Sequence, residues 1–215
     1  MKTNLSKKQK EMLDKLVAET EKKTGVQIVL AVIKRSDSYA ELPWKAFALG
    51  SVITGLFILI LGLSFFNWYP EMMLAVAVSG TLAGGVLFAF LTVLIPDFAK
   101  RFLSGNRAET EVLQYAQSLF LERELFATGK RTGILLLVSL FERKVVILPD
   151  KGLETRLTEN DLQKVIGAMT PNLKEQKIGA AFETGLEKLS HLLGTTTSGY
   201  GENELPDEII EEKGV

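Results

Sequence analysis

Four acidic residues in the second half of the sequence are the residues with the clearest potential for chemistry. A divalent cation in a protein needs two or three oxygen ligands that converge on one point. Glu142, Asp150 and Glu154 are candidate ligands for such a cation, calcium or magnesium, and Asp161 lies in the same stretch. Each also suits an ordinary turn, and Asp161 suits a helix cap. No residue is predicted to be catalytic.

Other common catalytic and metal-binding sets are missing from the sequence. It contains no cysteine and a single histidine, His191. Thiolate nucleophiles, cysteine-ligated zinc and two-histidine metal sites are therefore excluded. The formal net charge is −1, which gives no reason to expect a nucleic-acid partner.

A glycine turn, Gly129-Lys130-Arg131-Thr132, has some features of a phosphate-binding loop. A true P-loop follows a strand and opens a helix, whereas this turn precedes the apolar run Ile134–Val138. Backbone amides in such a turn can still bind an anion. Lys130 and Arg131 are therefore candidate anion ligands, and the alternative is a solvated turn.

Two long apolar runs dominate the first half of the chain. Ala46–Phe66 and Met72–Pro96 carry no charge, and Glu71 is the only charged residue between them. At about 1.5 Å per helical residue, each run spans the roughly 30 Å core of a bilayer. We predict a transmembrane hairpin over residues 44–96, with spans at about 46–66 and 72–95, rather than two buried helices of a soluble protein.

Basic residues flank the predicted hairpin and are absent from its turn. They are Lys34, Arg35, Lys45, Lys100, Arg101 and Arg107. The positive-inside rule then predicts that both termini are cytoplasmic.

Two glycines in the second span, Gly80 and Gly84, lie four residues apart. This spacing favours close packing against another helix. The face is a candidate for self-association or for contact with a membrane-protein partner. The alternative is that lipid simply tolerates glycine there.

The segments on either side of the hairpin have the pattern of one soluble domain. Apolar periodicity and capping residues predict a first helix between Ser6 and Gly25 and later helices near 108–126, 159–169 and 175–193, with Pro171 separating the last two. Apolar runs predict strands at Val26–Ile33, Ile134–Val138 and Lys144–Leu148, the last two as an antiparallel hairpin. We predict an α/β fold: a small mixed sheet sandwiched by helices, built from residues 1–35 and 105–193 and interrupted by the membrane hairpin.

The last residues, 194–215, form an acidic tail rich in glycine, serine and threonine. This composition predicts disorder. The stretch "LPDEIIEE" is either a short docking motif or a solubilising end.

Several stretches resemble the TPM-domain family. They are "LDKLVAETEKKTGVQIVLAVI", "EVLQYAQSLF", "RTGILLLVSLFERKVVILPDKGLE" and "LTENDLQKVIGAMTPNLKEQKIGAAFETGLEKL". The resemblance covers about 1–33 and 108–193. It implies an α/β/α sandwich with a small mixed sheet, an acid phosphatase activity in some members, divalent-cation binding in others, and roles in assembly or repair of membrane complexes.

The sequence departs from that family at the expected ion-binding cleft. Many members have Asp-Asn-Gly before the central strand, where this chain has Arg131-Thr132-Gly133. The acid after the strand is retained as Glu142. The family's Gly-x-Gly before the next helix is here Asp150-Lys151-Gly152, which either relocates an acid into the cleft or makes a turn.

These observations favour a membrane-anchored binding, scaffold or assembly-regulatory module beside a membrane complex. The alternative is a divalent-cation-dependent phosphomonoester phosphatase.

Overall fold

The computed structural model describes residues 5–65, 70–194 and 209–214. In chain order the elements are α1 (Lys7–Thr24), β1 (Gln27–Arg35), α2 (Glu41–Phe65), α3 (Pro70–Leu94), the short α4 (Pro96–Ala99), α5 (Gly105–Glu122), β2 (Gly133–Ser139), β3 (Lys144–Pro149), α6 (Glu159–Lys174), α7 (Ile178–Leu193) and β4 (Ile210–Gly214). They divide into a helical unit, Ser38–Ala108, and an α/β unit made of Met1–Asp37 and Glu109–Val215.

Local signals in the sequence set the helix ends of the α/β unit. At the start of α1, Gln9 N donates to Ser6 Oγ at 3.3 Å, and Ser6 N donates back to Gln9 Oε1 at 2.9 Å. Gly25 ends this helix in the left-handed conformation, at φ 69°. A second reciprocal cap, between Thr158 and Asp161, begins α6. The predicted capping boxes are confirmed.

The sheet has the order β3-β2-β1-β4. The central pair, β1 and β2, is parallel, with Ile28 opposite Ile134 and Val32 opposite Val138. The strand β3 pairs antiparallel with β2, and β4 pairs parallel with β1. The sheet is therefore mixed, and the predicted antiparallel hairpin of β2 and β3 is confirmed.

Both faces of the sheet are covered by helices. Alternate residues of β1 point to opposite faces, so Leu30 and Val32 join a core with α1, α6 and α7. Ala31 and Ile33 join a second core with α5. This explains why the central strands are apolar at consecutive positions. The predicted α/β sandwich is confirmed.

Two helix boundaries differ from the predictions. Pro171 lies inside α6, which continues to Lys174, and so does not separate the last two helices. A proline inside a helix costs the bond to the carbonyl four residues earlier; here that carbonyl belongs to the exposed Gly167, where water can replace the missing donor. The helix predicted over 108–126 is α5, which ends at Glu122.

The prediction of a disordered tail is wrong for its last residues. Ile210–Gly214 form β4 and pair with the edge of β1. Composition missed this strand because its partner edge lies far away in the sequence. Residues 195–208 of the predicted tail lie outside the described residues.

The helical unit contains two helices that are long and apolar enough to cross a membrane, Glu41–Ser64 and Glu71–Leu94. Of the residues in their most apolar stretches, only 11% and 6% are buried. Helices in the core of a soluble protein would bury most of these residues, so this exposure favours the membrane interpretation.

The small residues of α3 pack against α2 within the hairpin. An added Cβ at Gly80 would lie 2.6 Å from Ile58 Cδ1, and one at Gly84 would overlap Thr54. The close helix contact predicted for this pair is therefore made with α2. Contact of the Gly80 and Gly84 face with a second copy or with a membrane-protein partner stays a prediction.

Candidate functional site

The loop before β2 and the loop after β3 are joined by an ion pair. Arg131 Nε donates to Asp150 Oδ2 at 2.6 Å, and Arg131 Nη2 donates to Asp150 Oδ1 at 2.8 Å. The strand pairing brings the loops together, since Ile134 lies opposite Pro149. Asp150 is buried, and its hydrogen bonds with Arg131 hold the pKa of its carboxyl below the ordinary value of 3.8, against the opposing effect of burial. The guanidinium therefore has an internal carboxylate as its partner.

Backbone contacts fix the same two loops. Gly152 N donates to Arg131 O at 2.9 Å, and an added Cβ at Gly152 would overlap the carbonyl oxygens of Lys130 and Arg131. Asp150 also accepts from Lys151 N at 2.8 Å. Of the two interpretations of Asp150-Lys151-Gly152, the structure has the turn. The carboxylate of Asp150 faces Arg131.

Glu142 lies in a buried polar cluster beyond the other end of β2. Its Oε1 accepts from Ser36 N at 2.9 Å and from Ser36 Oγ at 2.6 Å. Its Oε2 accepts from Ser139 Oγ. Next to this cluster, the Arg35 guanidinium lies 4.6 Å from the centre of the Phe141 ring. The Glu142 carboxylate therefore connects the turn after β2 to the end of β1, which is a structural role.

The three predicted cation ligands do not meet. Because β2 and β3 are antiparallel, Glu142 lies at the turn between them, whereas Asp150 and Glu154 follow the far end of β3. The seven residues of β2 separate these ends by about 20 Å at 3.3 Å per residue. Over residues 5–65, 70–194 and 209–214, no group of three or more His, Asp or Glu residues could hold a metal. These acids therefore do not converge on one point in the described residues, and cation binding by this chain stays a prediction.

One of the two predicted anion ligands, Arg131, is used in a contact within the protein. Arg131 binds Asp150, and only the exposed side chain of Lys130 remains at the turn without an assigned role. Arg131 itself has a positive φ of 56°, which turns the chain into β2. The glycine turn is thus part of the joint between two loops.

A polar groove between α1 and α7 is a feature that the sequence analysis missed. It has a volume of about 320 Å³ and is lined by Leu16, Glu19, Thr20, Lys23, Glu187, Ser190 and His191. The α1 residues recur at helical spacing on one face, so the sequence contained a signal for this half of the groove. The contribution of α7 required the tertiary structure. The groove combines both signs of charge with one apolar side chain, Leu16, a lining suited to a polar partner.

Comparisons with known proteins agree with this fold. A family profile of the TPM domain matches residues 91–192. The NMR structure of BA42 protein from the psychrophilic bacterium Bizionia argentinensis is similar, with a TM-score of 0.58, 13% identity, and coverage of 98% of this chain and 97% of that chain. At that identity the likeness shows the fold alone. No curated protein matches the chain.

The profile begins within α3, so it includes α5, β2, β3, α6 and nearly all of α7 but not α1 or β1. The structure supplies those missing elements, because β1 pairs with β2 along the whole of β2. Residues 91–192 therefore match the TPM-domain family, and the shared fold agrees with that match.

Proposed function

We propose that this chain is a membrane-anchored TPM domain that acts as a binding or assembly-regulatory module beside a membrane complex. In this proposal α2 and α3 cross the bilayer, and both termini lie in the cytoplasm. The basic residues that flank the two apolar helices, and their absence from the connecting turn, support that orientation.

The observation that carries the proposal is the position of the hairpin within the domain. The chain leaves β1 at Arg35 and begins α2 at Glu41, so only residues 36–40 connect them. A domain tethered on so short a connection stays near the membrane surface. Confinement of this kind raises its effective concentration for other membrane proteins without any new contact.

The α1–α7 groove is the surface that we assign to partner binding. Lys23 and Glu187 place opposite charges beside the apolar stem of Leu16. Such a surface favours one orientation of a polar partner and disfavours partners with the wrong charge. The partner class is a segment of a membrane protein exposed at the cytoplasmic surface.

The alternative, a cation-dependent phosphatase, receives no support from the positions of the acids. Phosphoryl chemistry with a metal needs ligands that converge around the phosphate. Glu142 contacts two serines, and Asp150 contacts an arginine at the other end of the sheet. We therefore derive no catalytic step from these residues.

The proposal is tested by affinity capture of the tagged full-length chain from detergent-solubilised membranes. We expect the same membrane protein to be recovered in independent experiments. Lys23→Glu should lower its recovery about fivefold or more, because the change reverses a charge in the groove.

Lys22→Glu is the matched control, since Lys22 is an exposed neighbour that does not line the groove. Failure to recover any reproducible partner would contradict the binding role. An equal loss of partner recovery with both variants would instead exclude the groove as the binding site.

A further inference from the structure

The edge of β1 is occupied by the chain's own C-terminal strand. The parallel register pairs Ala31 with Ile210, Ile33 with Glu212 and Arg35 with Gly214. Ile209, 5% exposed, joins the core that contains α1, while Ile210 packs against the core that contains α5. A segment of six residues thus contacts both layers of helices.

Two adjacent glutamates of β4 bind opposite helical layers, because successive side chains of a strand point to opposite faces. Glu211 Oε2 lies 2.9 Å from Lys10 Nζ of α1. On the other face, Glu212 accepts from Tyr115 Oη at 2.6 Å and from Arg123 Nη2 at 3.0 Å. The edge of β1 therefore pairs with the backbone of β4, and side chains of the two helical layers bind its two carboxylates in a fixed order.

The part of the β1 edge that pairs with β4 also has a defined first residue. At the beginning of β1, Glu21 Oε1 accepts from Ile28 N at 2.6 Å. A buried side chain of α1 therefore closes this part of the edge, and the pairs with β4 begin at Ala31. An incoming strand can pair only beside residues 31–35, which fixes its register.

The connection between α7 and the C-terminal strand permits exchange between copies. Residues 195–208 join Gly194 to Ile209, and fourteen residues reach up to about 45–50 Å when extended. Exchange of an identical element between protomers is a low-cost route to oligomers.

We propose that the β1 edge is a strand-acceptor site and that Ile209–Gly214 of a second copy can occupy it in place of the chain's own segment. Backbone pairing supplies binding, and the Lys10 and Arg123 pairs select the two consecutive glutamates. The result is a strand-exchanged homo-oligomer. The proposal rests on the seated strand and not on the proposed function.

The test uses crosslinking between full-length chains in isolated membranes. The sequence has no cysteine, so introduced cysteines are the only thiols. One tagged chain carries Lys10→Cys and a differently tagged chain carries Glu211→Cys, and a short bis-maleimide is added. Exchange predicts a crosslinked dimer that contains both tags, because residues 10 and 211 then meet between copies.

Two further chains calibrate the result. A chain with both substitutions should crosslink internally, which reports the seated strand. Lys8→Cys replaces Lys10→Cys as the matched control, since two residues rotate about 200° around a helix and point away from the strand. We expect the Lys10→Cys pair to give about tenfold more dimer than this control.

The proposal is overturned if the doubly substituted chain crosslinks internally while the mixed chains give no more dimer than the Lys8→Cys control. It is also overturned if the doubly substituted chain does not crosslink, since the strand is then not seated. Dimers that form through any other surface would appear equally with both α1 positions.

Discussion

The Arg131–Asp150 pair is the clearest case in which one residue type changes the local chemistry. The sequence departs from the family pattern before β2, where this chain has Arg131, and the Arg131 guanidinium binds Asp150 through two hydrogen bonds. The Arg131 guanidinium therefore places beside Asp150 the positive charge that a bound cation would supply. This arrangement fixes the loops without a metal ligand set.

The pair makes a prediction about pH. The pKa of Asp150 is lowered in the folded state from its ordinary value of 3.8, so the stability it contributes is present above that value and is lost as the pH falls through the lower folded pKa. We expect Asp150→Asn to melt at a lower temperature than the parent at pH 7. The difference should shrink as the pH falls below about 3.8.

Thermal unfolding of the detergent-solubilised chain at a series of pH values measures this difference. Asp161, whose pKa is lowered to about 2 by Lys164 and Thr158, destabilises parent and variant alike in acid, so only their difference is informative. Glu154→Gln is the control, because it removes an exposed charge near the same turn. A difference in melting temperature between Asp150→Asn and the parent that stays constant down to pH 3 would contradict the lowered pKa of Asp150.

At the scale of elements, the helices α6 and α7 show how a glycine's surroundings decide its role. Gly167 is exposed within α6, and an added Cβ there meets nothing within 4 Å. Gly185 of α7 faces Met169 of α6, and an added Cβ would lie 2.9 Å from the Met169 sulfur. The first glycine only weakens its helix, whereas the second lets two helices approach.

We therefore expect opposite effects from the same substitution. Gly167→Ala should raise the free energy of unfolding by about 0.5–1 kcal/mol, since alanine loses less backbone entropy in a helix. Gly185→Ala should lower it by about 1–3 kcal/mol, because the buried Met169 must move. Hydrogen exchange of the amides of β2, a fully buried central strand, measures both changes. A loss of stability in Gly167→Ala would show that this position packs against something unseen in the structure.

For the whole molecule, the discontinuous α/β unit constrains the proposed membrane topology. The segment before the hairpin supplies β1, which lies between β2 and β4 in the sheet. The sheet can form only if both flanks of the hairpin reach the same compartment. An even number of membrane crossings between them satisfies this condition.

This constraint and the proposed orientation together predict the labelling of single cysteines in sealed vesicles. Lys8→Cys and Glu154→Cys should react with an impermeant maleimide from the cytoplasmic side, and Asn67→Cys, between the two apolar helices, from the opposite side. Permeabilised vesicles, in which all three react, provide the control. Labelling of the two flanks from opposite sides would exclude the domain as described.

The sequence alone determined those features that depend on neighbouring residues. The capping pairs at Ser6 and Thr158, the apolar central strands and the two long apolar helices all have signals within a few turns or one strand. The fold class followed because such elements have few ways to cover both faces of a sheet. The order of the short motifs along the chain indicated the resemblance to the TPM-domain family.

Only the tertiary structure decided which side chains meet. Glu142 and Asp150 lie eight positions apart in the sequence, yet the antiparallel pairing of β2 and β3 places them beyond opposite ends of the sheet. The same pairing brings Arg131 to Asp150, and the edge of β1 gives the acidic C-terminus a strand partner. These contacts depend on strand direction and register, which are fixed by packing between distant segments and leave no local signal along the chain.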